Sequence, residues 1–161
     1  MDTGKKKTLY VTDLDGTLLG ADSRISRRSA AILNELARRG VMITPATART
    51  PATVQPLFAG VSQSVYTNAD GKHLPLPAIV MTGGALWDRT RERFESCTLI
   101  PEADAERIRD TFGRQSLRPF IYCLSGDSFL NVYHPTAMSR RENSFYQERR
   151  HLQPVSYTHL R

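Results

Sequence analysis

Three short apolar runs, separated by segments of helical pattern, constrain the fold of this 161-residue chain more than any other feature. The runs cover residues 9 to 11, 41 to 44 and 78 to 81. Apolar runs of this length are typical of strands that are covered on both faces. A strand, a helix and a second strand in this order imply a right-handed parallel unit. We therefore predict an α/β fold with a parallel sheet for the first half of the chain.

Two helices are predicted between these strands. Apolar residues recur at helical spacing between residues 25 and 36, with Ser26 as the N-cap and Gly40 at the end. A second helix begins at Pro51, because proline suits the first helical turn. Residues 61 to 77 are looser and rich in turn-forming residues.

The second half of the chain has a different pattern. Residues 86 to 88 and 94 to 100 predict a hairpin, and residues 101 to 114 predict a helix that begins with proline and acidic residues. Two further strands are joined by Ser125-Gly126-Asp127, and a polar helix follows. This half is predicted to be α+β with antiparallel pairs.

Two acidic residues directly follow the first strand. Asp13 and Asp15 turn the same way only where the strand ends, because side chains alternate along a strand. Two carboxylates so close repel each other unless a cation or a shared proton intervenes. Gly16 permits a sharp turn close to a bound anion, and Thr17 adds a hydroxyl. The pattern indicates a divalent metal and a phosphate, although a solvated turn after a strand uses similar residues.

The carboxyl ends of the predicted parallel strands should form one rim. Ligands bind at this edge of open α/β sheets. The rim would hold Asp13, Asp15, the turn at residues 46 to 49 and the Gly83-Gly84 turn. Their convergence supports a binding site.

Residues 8 to 19 closely resemble the first motif of the haloacid dehalogenase superfamily, in which an apolar strand runs into Asp-x-Asp-Gly-Thr. The resemblance implies a Rossmann-like core, of which this chain holds the N-terminal part. By position, it makes Asp13 the nucleophile that becomes an aspartyl phosphate and Asp15 the general acid and base. It also implies Mg²⁺, bound by the Asp13 carboxylate and the backbone carbonyl of Asp15, with Gly16 and Thr17 near the substrate. A metal there would neutralise phosphoryl oxygens and keep the attacking carboxylate ionised.

Thr47-Ala48-Arg49 resembles the second motif of one subgroup of the superfamily, Thr-Gly-Arg. The resemblance implies that the Thr47 hydroxyl binds the transferring phosphoryl group. Ala48 departs from the usual glycine. The alternative for Thr47 is a turn or N-cap hydroxyl. Arg49 could steady a phosphate, or it could be a structural arginine.

Gly83-Gly84-Ala85 is similar to the Asn-Gly-Ala turn that precedes the cap domain in Cof-like sugar-phosphate phosphatases. The resemblance divides the chain into residues 1 to 85, the N-terminal part of the core, and residues 86 to 154, an incomplete α+β cap. A cap that excludes water and contacts the leaving group would set specificity.

The third and fourth motifs of the superfamily have no match in this chain. The Gly-Asp pair at residues 126 and 127 lies in a predicted hairpin, away from the core rim. Every lysine lies upstream of the place where the third-motif lysine should fall: Lys5, Lys6, Lys7 and Lys72.

The last residues suggest an origin outside the gene. Residues 155 to 161 match the translation, in one frame, of a widely used transposase sequencing adapter, and Pro154 agrees with the first bases of that adapter. We predict that this tail is not native. A natural helix-ending tail is the alternative. An independent genomic read in which the tail continues unchanged into native sequence would exclude the adapter origin.

Composition and charge narrow the function classes. With 40% hydrophobic and 24% charged residues, the chain is typical of soluble globular proteins. The formal charge of +6 comes from arginines interleaved with acids, so nucleic-acid binding is not predicted. The basic surface could instead attract phosphorylated metabolites.

Cysteine use and hydropathy predict a cytoplasmic protein. Cys97 and Cys123 have no zinc-like spacing and no secretory context. The apolar run after Lys5-Lys6-Lys7 is broken by Asp13, so it cannot serve as a signal peptide. No window is long enough to span a membrane.

The sequence therefore predicts a Mg²⁺-dependent phosphatase of small phosphorylated metabolites that works through an aspartyl phosphate. Residues 1 to 161 alone are predicted to be nearly inactive, because the remaining motifs are missing. Two alternatives stay open. One is a sugar phosphomutase that uses the same residues, and the other is a non-catalytic remnant that binds metal or phosphate. The sequence leaves the oligomeric state open.

Overall fold

The computed structural model describes residues 7 to 126 and 128 to 151, together with the backbone of residues 155 to 159. The chain divides into two compact units, Met1–Ser96 and Cys97–Arg161. Each unit is built around its own sheet.

The first unit contains a five-stranded sheet, flanking helices and a small separate hairpin. The sheet is formed by Leu9–Asp13 (β1), Met42–Ala46 (β2), Ala78–Val80 (β5), Ala85–Asp88 (β6) and Arg93–Cys97 (β7), in the order β1-β2-β5-β6-β7. The β1–β2 and β2–β5 pairs are parallel, whereas β5 and β6 are antiparallel. The predicted α/β fold is confirmed as a mixed sheet with helices. In chain order the elements are β1 (Leu9–Asp13), α1 (Arg27–Arg38), β2 (Met42–Ala46), α2 (Pro51–Val54), which continues as a 3₁₀ turn (Gln55–Phe58), β3 (Val65–Thr67), β4 (His73–Pro75), β5 (Ala78–Val80), β6 (Ala85–Asp88) and β7 (Arg93–Cys97).

The start of α1 follows from its cap. The Ser26 side chain accepts a hydrogen bond from the Ser29 N–H at 3.0 Å, which satisfies one of the free donors of the first turn. The predicted helix and its cap are confirmed. Of the apolar residues that predicted it, Leu33 is half-buried but Ile32 remains 50% exposed.

The core of the first unit forms around the fully buried Trp87 of β6. Its ring meets Phe94 of β7 edge to face, with ring centroids 4.9 Å apart. The indole N–H donates to the Gln55 side-chain oxygen at 3.3 Å. Val54 of α2 and Val80 of β5 are also fully buried.

The hairpin of β6 and β7 belongs to the sheet of the first unit. The chain therefore divides after Ser96, whereas the sequence placed the boundary after residue 85. The hairpin pattern predicted two strands but could not show which sheet they join. The turn itself is fixed by Asp88, which is 1% exposed and accepts hydrogen bonds from the Thr90 and Arg91 N–H groups.

The second unit contains α3 (Glu102–Arg114), β8 (Ile121–Ser125), β9 (Phe129–His134), α4 (Arg140–Arg149) and the backbone of β10 (Val155–His159). Strands β8 and β9 pair antiparallel as predicted, and β10 lies parallel to β9. The helix α4 begins with a capping box, since Ser139 and Glu142 satisfy each other's backbone N–H groups. The tail predicted to be non-native, residues 155 to 161, includes β10. Residues 160 and 161 of this tail lie outside the described residues.

Among the residues that the structure describes, no helix is both long and apolar enough to cross a membrane.

Candidate active site

The turn after β1 places two carboxylates on one side of the chain. Leu14 is completely buried between Asp13 and Asp15, which are both exposed. This is the alternation expected at the end of a strand. The Leu19 N–H donates to the Leu14 carbonyl at 2.9 Å and closes the turn. Gly16 has φ of 77°, a left-handed conformation that glycine adopts without strain.

Arg49 binds the Asp15 carboxylate in a bidentate manner, through two nitrogens of its guanidinium group. Its Nη2 lies 2.6 Å from Oδ1 of Asp15, and its Nε lies 2.9 Å from Oδ2. The side chain of Arg49 is 28% exposed and that of Asp15 is 55% exposed. The hydrogen bond from Arg49 lowers the pKa of Asp15 below its ordinary value, and the positive charge of Arg49 acts in the same direction.

Thr47 lies just past the carboxyl end of β2 and is 7% exposed. Its hydroxyl oxygen accepts a hydrogen bond from the Arg49 N–H at 3.2 Å. Its backbone N–H donates to the Ile79 carbonyl at 3.0 Å, which ties the loop to β5. The Thr47 hydroxyl therefore shapes the local turn, and its own proton remains available for a further acceptor.

The turn after β5 supports the Thr47–Arg49 loop from the other side. The Met81 N–H donates to the Arg49 carbonyl at 2.9 Å, and the Thr82 N–H donates to the Thr47 carbonyl at 3.1 Å. Met81 and Thr82 have φ of 54° and 59°, which is unusual for residues other than glycine and strained for β-branched threonine. Strain of this kind persists only where the surrounding contacts fix the backbone.

The structure thus joins three turns at the carboxyl ends of β1, β2 and β5. The turn after β1 contacts the loop after β2 through the Asp15–Arg49 pair, and that loop contacts the turn after β5 through backbone hydrogen bonds. Gly16 and Thr17 lie exposed in the first turn. The Gly83-Gly84 turn follows directly after Thr82. All predicted site residues therefore lie in or beside the three turns.

The residues present fit a magnesium ion. Within the described residues, the Asp13 carboxylate accepts no hydrogen bond and forms no ion pair, so it is free to bind a cation. The described part of the chain has no cluster of three or more Asp, Glu, His or Cys side chains that could enclose a metal. Mg²⁺ does not require one, because it keeps several waters and is commonly bound by one or two carboxylates and substrate phosphates.

Two features of the site were not predicted from the sequence. The bidentate ion pair between Arg49 and Asp15, called the fork below, joins residues that are 34 positions apart in the sequence. The only sequence signal for it was that both residues were expected on the same rim. The left-handed backbone at Met81 and Thr82 had no signal of its own, since only the glycines that follow them indicated a turn.

A family model described as haloacid dehalogenase-like hydrolase matches residues 10–159. No curated protein matches the chain in sequence.

Solved structures of the same fold share little sequence with the chain. A haloacid dehalogenase-like hydrolase from Bacteroides thetaiotaomicron is 16% identical with a TM-score of 0.63, over 96% of this chain and 52% of that one. A haloacid dehalogenase-like hydrolase from B. subtilis is 16% identical with a TM-score of 0.62, over 94% of this chain and 53% of that one. A sugar phosphatase of subclass IIB is 18% identical with a TM-score of 0.56, over 96% of this chain and 53% of that one. The chain spans about half the length of these structures.

Proposed function

Because this chain belongs to the haloacid dehalogenase-like hydrolase family, we propose that the protein hydrolyses phosphate monoesters of small metabolites through an aspartyl phosphate. One observation carries the proposal. A free carboxylate at Asp13 and a paired carboxylate at Asp15 lie on one turn at the carboxyl end of β1, and the Thr47–Arg49 loop meets this turn.

Asp13 is the proposed nucleophile. Its carboxylate oxygen attacks the phosphorus atom, and the bond from phosphorus to the alcohol oxygen of the substrate breaks. The Asp15 carboxyl group donates a proton to the departing oxygen. In the second step Asp15 takes a proton from the water that attacks phosphorus, which releases phosphate and returns Asp13 to its carboxylate form.

Asp13 and the backbone carbonyl of Asp15 would hold Mg²⁺. When bound, the ion would neutralise the phosphoryl oxygens and keep Asp13 ionised. Thr47, Gly16 and Thr17 are proposed to contact the phosphoryl group, since the hydroxyl of Thr47 retains a proton to donate. Arg49, also predicted to bind substrate, is engaged with Asp15 in this structure.

Charge and the comparisons support small phosphorylated metabolites as the substrate class. The formal charge of +6 favours anionic ligands. One similar structure is that of a sugar phosphatase, so sugar phosphates are the first compounds to test. A cytoplasmic location with reduced cysteines suits such metabolites. We propose no nucleic-acid or membrane partner.

The 161-residue chain alone is expected to be nearly inactive. No third-motif lysine or fourth-motif acidic segment matches this chain, and in the described residues only the two acids of the β1 turn could bind a metal there. Groups of this kind are worth orders of magnitude in rate.

The test uses the protein translated from the uninterrupted gene, that is, the native reading frame without the adapter-like tail of residues 155 to 161. The substrates are p-nitrophenyl phosphate and a panel of sugar phosphates. Wild type should release phosphate only with Mg²⁺ and lose activity in EDTA. Asp13→Asn should lower kcat by roughly 10³-fold or more. Asp110→Asn, an exposed acid on α3, is the matched control and should be unaffected.

Two results would contradict the proposal. One is phosphate release that Asp13→Asn leaves intact, and the other is activity that does not need Mg²⁺. Return of the phosphoryl group to a second position of the sugar, seen in product analysis, would identify a phosphomutase instead.

A further inference from the structure

The sequence left two roles open for Arg49, a ligand of the substrate phosphate or a structural arginine, and in this structure its side chain binds Asp15. Both carboxylate oxygens of Asp15 accept hydrogen bonds from it, at 2.6 and 2.9 Å. This fork is the geometry in which arginine recognises a planar carboxylate most specifically. The contact fixes the plane of the Asp15 carboxylate as well as its position.

The main chain of Arg49 is also held in place. Its N–H donates to the Thr47 hydroxyl and its carbonyl accepts from the Met81 N–H. The residue is thus fixed from both the β2 and the β5 side, and the strained backbone at Met81 and Thr82 is part of this support. Because its backbone is fixed, the Arg49 side chain is suited to hold another residue in place.

Asp15 lacks such support of its own. It is exposed, it lies in the turn rather than in the strand, and Arg49 is its only side-chain partner among the residues that the structure describes. A general acid must place its proton within hydrogen-bond reach of the leaving oxygen. Displacement of a catalytic group by about 1 Å can lower the rate by about 10²-fold.

From this geometry we infer that Arg49 is a positioning residue that orients the Asp15 carboxyl group toward the leaving oxygen, rather than a ligand of the transferring phosphoryl group. The inference rests on the proposed function, since it assigns a role within that reaction. Each carboxylate oxygen retains a lone pair directed away from the guanidinium, and this lone pair is where the proton resides during transfer.

The two roles for Arg49 predict different kinetics. A positioning residue lowers kcat and leaves the binding of phosphate unchanged, whereas a phosphate ligand raises KM and the inhibition constant of inorganic phosphate. A positioning residue also acts only while its partner is present. Its removal should therefore have little further effect once Asp15 is replaced.

The experiment is a double-mutant cycle in the protein translated from the uninterrupted gene. The variants are Arg49→Gln, Asp15→Asn and both together, with kcat, KM and the inhibition constant of inorganic phosphate measured for each. Arg49→Gln should lower kcat by about 10- to 100-fold with KM and the inhibition constant within about two-fold of wild type. In the Asp15→Asn background the same change should lower kcat by less than about three-fold.

Two further variants complete the design. Arg49→Lys keeps the charge but loses the fork, so its kcat should lie between wild type and Arg49→Gln. It also serves if the glutamine variant does not fold. Arg38→Gln removes a comparable exposed fork, the one to Glu35 at 2.8 Å for both contacts, and should leave kcat and KM unchanged.

An inhibition constant that rises about ten-fold or more in Arg49→Gln, with an undiminished effect in the Asp15→Asn background, would overturn the inference. An inactive wild-type protein would instead contradict the proposed function. In that case the same cycle in Tm tests the Arg49–Asp15 pairing separately from the reaction. Non-additive shifts of about 1 to 3 °C support the pairing on which the role depends, and additive shifts overturn it.

Discussion

Leu14 and Arg49 give the two carboxylates of the site different surroundings. Leu14 is buried in the core and forces Asp13 and Asp15 outward on the same side. Arg49 then pairs with Asp15 alone, while Asp13 has no side-chain partner among the described residues. Two carboxyl groups in different environments are suited to different roles in one reaction. The free Asp13 carboxylate suits the proposed nucleophile and cation ligand, and the paired Asp15 carboxylate suits the proposed general acid.

The Asp15–Arg49 pair makes stability depend on pH. The hydrogen bond from Arg49 lowers the pKa of Asp15 in the folded protein below the unfolded value, which is about 3.9 for aspartate. The pair therefore contributes its full stabilisation above that pH, and the contribution is lost as pH falls through the folded pKa.

We expect the urea midpoints of wild type and Arg49→Gln, measured in EDTA, to differ most near pH 7 and to converge as pH falls below the unfolded value and through the lowered pKa of Asp15. Arg28→Gln, on the exposed surface of α1, is the control and should follow wild type at every pH. A difference between wild type and Arg49→Gln that stays constant over the whole acidic range in which both variants remain folded would show that Asp15 is not the group involved.

The site depends on turns rather than on helices or strands. The turn after β1 needs a left-handed residue at Gly16, and the turn after β5 adopts this conformation at Met81 and Thr82. These turns lie at the ends of three neighbouring strands, so the sheet fixes their separation. The candidate site therefore lies in segments where the backbone departs from regular structure.

Gly16→Ala tests the conformational requirement of the first turn. An added Cβ would meet no atom within 4 Å, so the cost comes from the backbone alone. We expect a loss of about 1 to 2 kcal/mol in the free energy of unfolding. Gly113→Ala is the matched control, because that glycine lies inside α3 with open space around it. It should stabilise the protein by about 0.5 to 1 kcal/mol. Equal effects of the two substitutions, measured by urea unfolding, would contradict this account of the turn.

Strand β1 has one edge to which no strand pairs in the described part of the chain. Its side chains are apolar and about half exposed, with Leu9 at 47%, Tyr10 at 56% and Val11 at 52%. An exposed apolar edge favours pairing between molecules, which a lysine opposes.

Val11→Lys should therefore reduce self-association of the 161-residue chain, as measured by sedimentation velocity. Ile32→Lys places the same charge at a similarly exposed residue, 50% accessible on α1, away from the edge. Equal decreases in self-association for both variants would indicate a general effect of charge, and the edge of β1 would not be the cause.

At the scale of the whole molecule, local patterns predicted the elements but not all of their partners. Apolar runs and caps located β1, β2, α1 and α3, since hydrophobic spacing and capping act over a few residues. Sheet membership of β6 and β7 depends on long-range packing around Trp87, which periodicity does not encode.

In the candidate site, too, local patterns predicted individual residues but not the contacts between them. Asp13, Asp15 and Thr47 were predicted from motifs, because each lies at or just after the end of a recognisable strand. The pairing of Arg49 with Asp15 depends on how two loops approach in space, and the short β3–β4 hairpin arose in a segment that showed only turn residues. Neither was accessible from one sequence.

Chemical trapping of the covalent intermediate tests the central claim most directly. The protein translated from the uninterrupted gene is mixed with Mg²⁺ and a sugar phosphate, quenched with acid during turnover and examined by peptide mass spectrometry. The account predicts a phosphoryl group on Asp13 in wild type and none in Asp13→Asn, which should also be inactive. Steady turnover with Asp13 unmodified, together with an active Asp13→Asn variant, would contradict it.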